Sequence, residues 1–94
     1  MRRGPITITF VPGASTDPPR VAYAIGRKVG GAVVRNRLRR RLRAVVAELG
    51  PALRPGAYLV GATAEAVPLS FGELQSIMSE LLEATSEAGR ERVG

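Results

Sequence analysis

The 94-residue sequence contains no cysteine and no histidine. Without cysteine, the chain has neither a disulfide framework nor a thiolate metal site. Without histidine, it lacks the usual general base, proton shuttle and zinc ligand of enzymes. It also has no apolar run near the roughly 20 residues that span a membrane, and no signal-peptide core at its N-terminus. These absences predict a cytoplasmic protein without a membrane partner.

Acidic residues are scarce in the first half of the chain. Residues 1–47 carry eleven basic side chains against one acid, Asp17, a balance of +10. Residues 48–94 carry three basic side chains against seven glutamates, a balance of −4. Thirteen of the fourteen basic residues are arginine, whose planar guanidinium group suits phosphate oxygens. Charge separated in this way indicates a polyanionic partner at one face of the protein.

The length of the chain fits one domain with a single thin core. A hydrophobic content of 45% argues against disorder. We therefore expect a single domain over residues 1–94, with an ordered core at about residues 5–88 and a frayed tail at 89–94.

Three segments have the patterns of β-strands. Residues 5–11 alternate isoleucine and phenylalanine with threonine, and residues 20–26 alternate large apolar with small residues, so each predicts a strand with one buried face. The loop of turn residues between them predicts an antiparallel pair. Residues 57–63 form a nearly continuous apolar run, as expected of an interior strand.

Two segments have the period of amphipathic helices. The first covers residues 32–49, after Gly30-Gly31 and before Gly50-Pro51, and places one apolar stripe on Val34, Leu38, Leu42, Val45 and Leu49. The second begins after Pro68, where Ser70 and Glu73 have the spacing of a capping box. The order β-β-α-β-α, with two amphipathic helices and one mixed sheet to cover, predicts a two-layer α+β sandwich.

The first helix carries a polar face of arginines with no acidic side chain among them. Arg37 and Arg41 fall near the edge of the apolar stripe, where their stems can cover apolar surface. Like charges four residues apart destabilise an isolated helix, so a partner of opposite charge is expected. The remaining polar side chains lie opposite the stripe or beside it: Arg35, Asn36, Arg39, Arg40 and Arg43.

Three interpretations of this helix compete. A solvated charged face is the simplest, but nothing within the run relieves the repulsion. A membrane-surface helix would suit Trp or Phe on its apolar side, whereas this one has Val, Leu and Ala. Nucleic-acid binding accounts for the pattern best, because phosphate contacts release counterions and Asn36 can both donate and accept hydrogen bonds.

Aromatic residues near the strands offer a weaker indication of RNA. Phe10, Tyr23 or Tyr58 could stack on unpaired bases, as aromatic side chains do in several RNA-binding modules. Core packing is the simpler expectation for at least two of the three.

The segment from Arg20 to Arg43, RVAYAIGRKVGGAVVRNRLRRRLR, closely resembles the signature of the protein component of bacterial ribonuclease P. That signature is a short strand, a basic pair followed by an aliphatic residue and glycine, and then an Arg-Asn-Arg helix. The apolar strand at 57–63 and the Ser-capped helix after it agree with the family's C-terminal half. The resemblance covers about residues 5–88 and is strongest at 20–43.

The resemblance implies an RNA-binding subunit that joins a large catalytic RNA. Together they would form an endonuclease that removes the 5′ leader of precursor tRNA. In that family the RNA, with bound magnesium ions, carries the chemistry, so no catalytic residue, resident metal or small-molecule substrate is expected of this chain. A cleft between sheet and helix would hold the single-stranded leader, bordered by Thr7, Thr9 and Tyr23. The positions that would contact ribonuclease P RNA and help to place magnesium and precursor tRNA are Arg27, Lys28, Arg35, Asn36, Arg37, Arg39, Arg40 and Arg43.

The resemblance also implies a ribosomal protein S5 domain 2-like fold, with a left-handed β-α-β crossover through residues 31–48, against the usual rule. Family members usually begin with a helix of aromatic residues that walls the leader cleft, and that helix is expected to be absent here. Thr9 stands where an aromatic residue is common, Gly26 where serine is common, and Thr63 near a position that is often basic. These departures affect leader binding more than docking on the RNA.

Two other functions remain open at this point. The main alternative is a stand-alone RNA-binding or ribosome-associated module without a processing role. A DNA-binding regulator fits less well, because its recognition helix would need base-reading side chains at the N-terminal end. This helix has Ala32, Val33 and Val34 there.

Overall fold

The computed structural model describes residues 1–14, 16, 18–50 and 53–93, with the side chains described up to residue 85. It contains β1 (Arg2–Arg3), β2 (Ile6–Pro12), β3 (Arg20–Ala24), α1 (Ala32–Leu49), β4 (Gly56–Ala62) and α2 (Phe71–Val93). Short 3-10 turns precede α1 and follow β4, at Arg27–Val29 and Ala64–Ala66. Neither α1 nor α2 has the length and hydrophobicity of a membrane span.

These elements confirm the predicted order β-β-α-β-α and add β1 before it. A strand of two residues has no periodicity that a sequence pattern could show. The predicted fraying of residues 89–94 falls on residues whose side chains, and for Gly94 also the backbone, lie outside the described part of the chain.

β4 lies inside the sheet, whose strand order is β1-β2-β4-β3. It pairs antiparallel with β2, from Ile6 opposite Ala62 to Pro12 opposite Gly56, and parallel with β3. The predicted pairing of the two strands at 5–11 and 20–26 is therefore wrong, because β4 lies between them. The apolar run of β4 suits an interior position. β3, α1 and β4 form the parallel strand–helix–strand crossover that the resemblance implies, and its left-handed sense stays a prediction.

Both long helices cover the same face of the sheet, so the two-layer α+β sandwich is confirmed. The side chains at the centre of the core are almost fully buried, and burying each large aliphatic one stabilises the fold by about 1.5–3 kcal/mol. β2 and β4 contribute Ile6, Ile8, Tyr58 and Val60; α1 contributes Leu38, Leu42 and Val45; α2 contributes Leu74, Met78 and Leu81.

The chain enters each helix through a specific local feature. Before α1, Gly30 has φ 156°, and a Cβ at this position would lie 2.9 Å from Cγ1 of Val34. Before α2, the Ser70 hydroxyl accepts from the backbone N–H of Glu73 over 3.1 Å, and the Glu73 carboxylate accepts from the Ser70 N–H over 3.0 Å. The predicted capping box is thus confirmed, and Gly30 fixes where the arginine helix starts.

Candidate nucleic-acid interface

The polar face of α1 forms a basic surface directed away from the core. We call it the α1 basic face. Its members are exposed at Asn36, Arg37, Arg40 and Arg43, and half-buried at Arg35 and Arg39. The placement follows from the helical period, since Leu38, Leu42 and Val45 are buried on the opposite side. The structure therefore brings six of the eight predicted RNA-binding residues onto one helix face.

No arginine of the α1 basic face forms an ion pair with a described residue. The ion pair found in that part of the chain joins Arg3 of β1 to Glu80 of α2. Arg39 Nη1 donates to Oδ1 of Asn36 over 2.8 Å, and the Asn36 amide N–H groups have no partner among the described residues. Nε of Arg35 is buried and has no hydrogen-bond partner among the described residues. The exposed arginines of the face, Arg37, Arg40 and Arg43, consequently keep guanidinium donors that form no ion pair with a described residue.

Arg41 differs from its neighbours on α1. It is half-buried, and its guanidinium donates to the carbonyl oxygen of Val67 over 3.1 Å and also to that of Leu69. Both carbonyls belong to the segment between β4 and α2. Arg41 therefore ties α1 to that segment, consistent with its predicted position at the edge of the apolar stripe.

Tyr23 lies on the helix-covered side of the sheet, beside the α1 basic face. It pairs in register with the buried Val60, and the guanidinium carbon of Arg43 stands 5.7 Å from the centre of its ring, within cation–π range. Burial raises the pKa of the Tyr23 hydroxyl, and the Arg43 charge opposes that shift. The ring of Tyr23 thus stabilises the guanidinium of Arg43 by a cation–π contact.

No described helix covers the opposite face of the sheet, and we call it the open sheet face. Thr7 and Thr9 are exposed on it, in register with Gly61 and Leu59 of β4. Leu59 is 46% exposed. Thr7 and Thr9 therefore do not share a surface with Tyr23, and the structure does not bring together the three predicted leader-cleft residues.

The other two strand aromatics lie on the helix-covered side as well. The rings of Phe10 and Tyr58 are 4.7 Å apart, and the Tyr58 hydroxyl exchanges hydrogen bonds with the backbone of Arg54 at 3.0 Å. Core packing is thus confirmed for these aromatics, so none of the three strand aromatics offers a ring on the open sheet face.

Arg27 and Lys28 lie in the 3-10 turn before α1, at one end of the sheet. They line a pocket of about 810 Å³ together with Arg2, Pro5, Ala62 and Glu65, among others. We call it the end pocket. Arg2 could not be placed here from sequence patterns, because the pairing of β1 with β2 brings it to this end of the sheet. Glu65 could not be predicted either, because a single glutamate in a loop has no pattern that marks it.

Several known proteins are similar to this chain in sequence. A family model described as Ribonuclease P matches residues 1–86. The ribonuclease P protein component of Symbiobacterium thermophilum is 47% identical over 75 residues, 79% of this chain and 65% of that protein. The component of Acidothermus cellulolyticus is 39% identical over 82 residues, 84% of this chain and 68% of that protein. The chain thus spans about two thirds of the length of these relatives.

Solved structures show the same fold at low sequence identity. The RNase P protein of Staphylococcus aureus has a TM-score of 0.80 at 18% identity, over 90% of this chain and 78% of that one. The RNase P protein of Thermotoga maritima has a TM-score of 0.81 at 18% identity, over 89% and 80%. Since the family model covers nearly the whole sequence, the chain belongs to the Ribonuclease P protein family.

Proposed function

We propose that this chain is the RNA-binding protein subunit of a cytoplasmic ribonuclease P, and that it docks on the ribonuclease P RNA through the α1 basic face. The observation that carries the proposal is the row of arginines on α1 that have no acidic partner among the described residues, in a chain whose family is established. In this role the ribonucleoprotein removes the 5′ leader of precursor tRNA.

Electrostatic repulsion within α1 supports an RNA partner. Arg35 and Arg39, and Arg39 and Arg43, are spaced four residues apart, and each pair of like charges destabilises the helix. RNA phosphates placed along the face relieve this repulsion and release condensed counterions. The binding free energy therefore depends steeply on salt, as expected of a surface that contacts several phosphates.

Asn36 has a distinct part in this proposal. Its Oδ1 is engaged by Arg39, so its amide N–H groups remain to donate to phosphate or 2′-hydroxyl oxygens. Arg39 is held in turn by the same contact, which reduces the entropy that it loses on binding. Asn36 and Arg39 thus form a pre-ordered donor pair at the middle of the face.

The chemistry of leader removal is assigned to the RNA in this proposal. Magnesium ions, held by the RNA, would supply the activated water and charge stabilisation of hydrolysis. The described residues contain no group of three or more metal-ligating side chains, and the α1 basic face is cationic. The chain's part is to bind phosphates and so lower the repulsion between the RNA and its substrate.

The open sheet face is the candidate surface for the leader. Thr7 and Thr9 place hydroxyl groups there, and Leu59 adds an exposed apolar side chain. Single-stranded RNA suits such a face, since hydroxyls donate to its phosphates and its bases pack on apolar surface. Tyr23 is left out of this surface by its position on the covered side.

A reconstitution tests the function. The chain is mixed with the ribonuclease P RNA of a related bacterium at low magnesium, and cleavage of a precursor tRNA is compared with cleavage by the RNA alone. We expect the protein to accelerate cleavage. The substitutions Arg37→Ala and Arg40→Ala should each reduce that acceleration. Tight RNA binding without any gain in cleavage would instead support the stand-alone RNA-binding module.

A further inference from the structure

We propose that the end pocket binds one unpaired guanine nucleotide of an RNA strand, with its base inside the pocket and its phosphate on the cationic rim. The inference rests on the RNA-binding function proposed above and deepens it. It assigns a base-reading site to a protein whose other proposed contacts do not distinguish one base from another.

The size and walls of the pocket fit a nucleobase. Its volume, about 810 Å³, lies within the range of small-ligand sites, about 300–1,000 Å³. Apolar surface dominates the lining and comes from Pro5, Val29, Ala62 and Ala64. A flat base can pack its face on such a surface, as unstacked bases do in proteins that hold them out of a helix.

Three of the side chains that line the pocket are cationic. Arg2 from β1 and the pair Arg27 and Lys28 from the turn before α1 all line the pocket. Arginine and lysine form strong charge-assisted hydrogen bonds with phosphate oxygens. A nucleotide whose base enters the pocket can thus leave its phosphate at the rim, where the strand continues.

Glu65 gives the pocket its selectivity. The Thr63 hydroxyl donates to Oε2 of Glu65 over 2.5 Å, which fixes the carboxylate. This hydrogen bond is also the main cause that lowers the pKa of the Glu65 carboxyl, so the group is ionised at neutral pH. A carboxylate repels phosphate and only accepts hydrogen bonds, so in a cationic pocket it suits the N–H groups of a base.

Guanine has the edge that matches a carboxylate best. Its N1–H and N2–H groups lie side by side on the Watson–Crick edge and can donate to the two carboxylate oxygens together. Uracil offers a single N–H there. Because this edge must be free, the nucleotide has to be unpaired, as in single-stranded RNA recognition generally.

The test uses the isolated full chain, isotopically labelled, and follows backbone amide signals by NMR. The probes are guanosine 5′-monophosphate, uridine 5′-monophosphate and inorganic phosphate. We expect the amides of Gly26, Ala62 and Glu65 to shift, with guanosine monophosphate binding about tenfold more tightly than uridine monophosphate. Glu65→Gln should remove this preference, so that both nucleotides bind with similar affinity.

A second variant fills the pocket. Gly26 has φ −79° and ψ 173°, and a Cβ there meets no atom within 4 Å, so Gly26→Leu can fold normally and occupy the pocket. It should weaken guanosine monophosphate binding at least as much as Glu65→Gln does. Gly72→Leu is the matched control, at an exposed glycine of α2 with the same free space.

Two results would overturn the proposal. One is equal binding of both nucleotides and phosphate, which would show a non-selective anion site. The other is a set of shifts confined to α1, with the pocket amides unchanged. Both are independent of the reconstitution, because no ribonuclease P RNA is present. The nucleotide-binding proposal can therefore be wrong while the processing function is right. Equally, the processing function can be wrong while the pocket binds the nucleotide.

Discussion

The guanidinium of Arg41 donates to the carbonyl oxygen of Val67 over 3.1 Å, across 26 positions of the chain. Arg37 and Arg40, on the same helix, are exposed and have no ion-pair partner among the described residues. The arginines of α1 therefore divide into one that holds the fold together and others that remain available to a ligand. Composition alone does not separate the two groups.

Arg41→Ala should destabilise the protein. The substitution leaves two loop carbonyls without their charged donor, and hydrogen bonds to charged groups contribute about 1.5–3 kcal/mol. We expect a decrease of about 1–3 kcal/mol in the free energy of unfolding, measured by urea denaturation. Arg40→Ala is the matched control and should stay within about 0.5 kcal/mol of the wild type. An equal loss in both variants would contradict the division.

Arg40→Ala should weaken binding to ribonuclease P RNA and reduce its dependence on salt. A removed phosphate contact lowers the slope of log K against log salt by about 1. The slope is measured by filter binding or anisotropy over a series of salt concentrations. Arg3→Ala removes the same charge from β1, where Arg3 pairs with Glu80, and should leave the slope unchanged. A similar slope change in both variants would point to net charge rather than a local contact.

Gly30→Ala should destabilise the entry to α1. The glycine has φ 156°, and the new methyl group would meet the Val34 side chain at 2.9 Å. A non-glycine residue in this backbone region costs about 1–3 kcal/mol. Thermal or urea unfolding measures the loss, with Gly26→Ala as the control, since a Cβ at Gly26 has free space. Identical stability of the two variants would show that the backbone at Gly30 relaxes.

The free energy of unfolding should decrease in acid, partly because the carboxylate that caps α2 becomes protonated. The Ser70 backbone N–H, and then its hydroxyl, hold the pKa of the Glu73 carboxyl below its ordinary value of 4.5. A lowered folded pKa means that this contribution is present above pH 4.5 and is lost as the pH falls through the folded value. Glu73→Gln keeps the capping hydrogen bond without a titrating group.

Urea midpoints of the wild type and Glu73→Gln test this cap, measured from about pH 6 down to about pH 3. The difference between the two proteins should be constant at the upper end and should shrink below pH 4.5. The comparison cancels the titration of the other carboxyl groups. A difference that stays the same over the whole range would mean that Glu73 does not stabilise the cap as an anion.

The periodic elements could be predicted from the sequence because each depends on local physics. The stripe of Leu38, Leu42 and Val45 fixes which side of α1 faces the sheet, and the spacing of Ser70 and Glu73 fixes the start of α2. Strand pairing could not be predicted in the same way. Which strands become neighbours depends on contacts between residues far apart in the chain, such as Ile8 with Val60.

The residues of the candidate site could likewise be predicted only where a local period places them. Asn36 and its neighbouring arginines follow from the helical period, and their common face was foreseen. The sequence names Thr7, Thr9 and Tyr23 together as leader-cleft residues, whereas the structure places Tyr23 on the helix-covered side and the two threonines on the open sheet face. A period of two predicts alternation along a strand but not which face the helices cover. The end pocket needed tertiary structure altogether, since β1, the turn before α1 and the segment after β4 meet only in the folded chain.

The position of β4 has a consequence for synthesis on the ribosome. β2 and β3 emerge before β4, and apart from the two-residue pairing of β2 with β1, both strands pair in the sheet with residues 56–62. Until that segment has left the ribosome, β2 and β3 lack the strand that joins them, and a helix of strong positive charge lies beside the ribosomal RNA. The sheet should therefore form late, because its pairing depends on residues far apart in the chain, and the arginines are exposed to any RNA nearby until then.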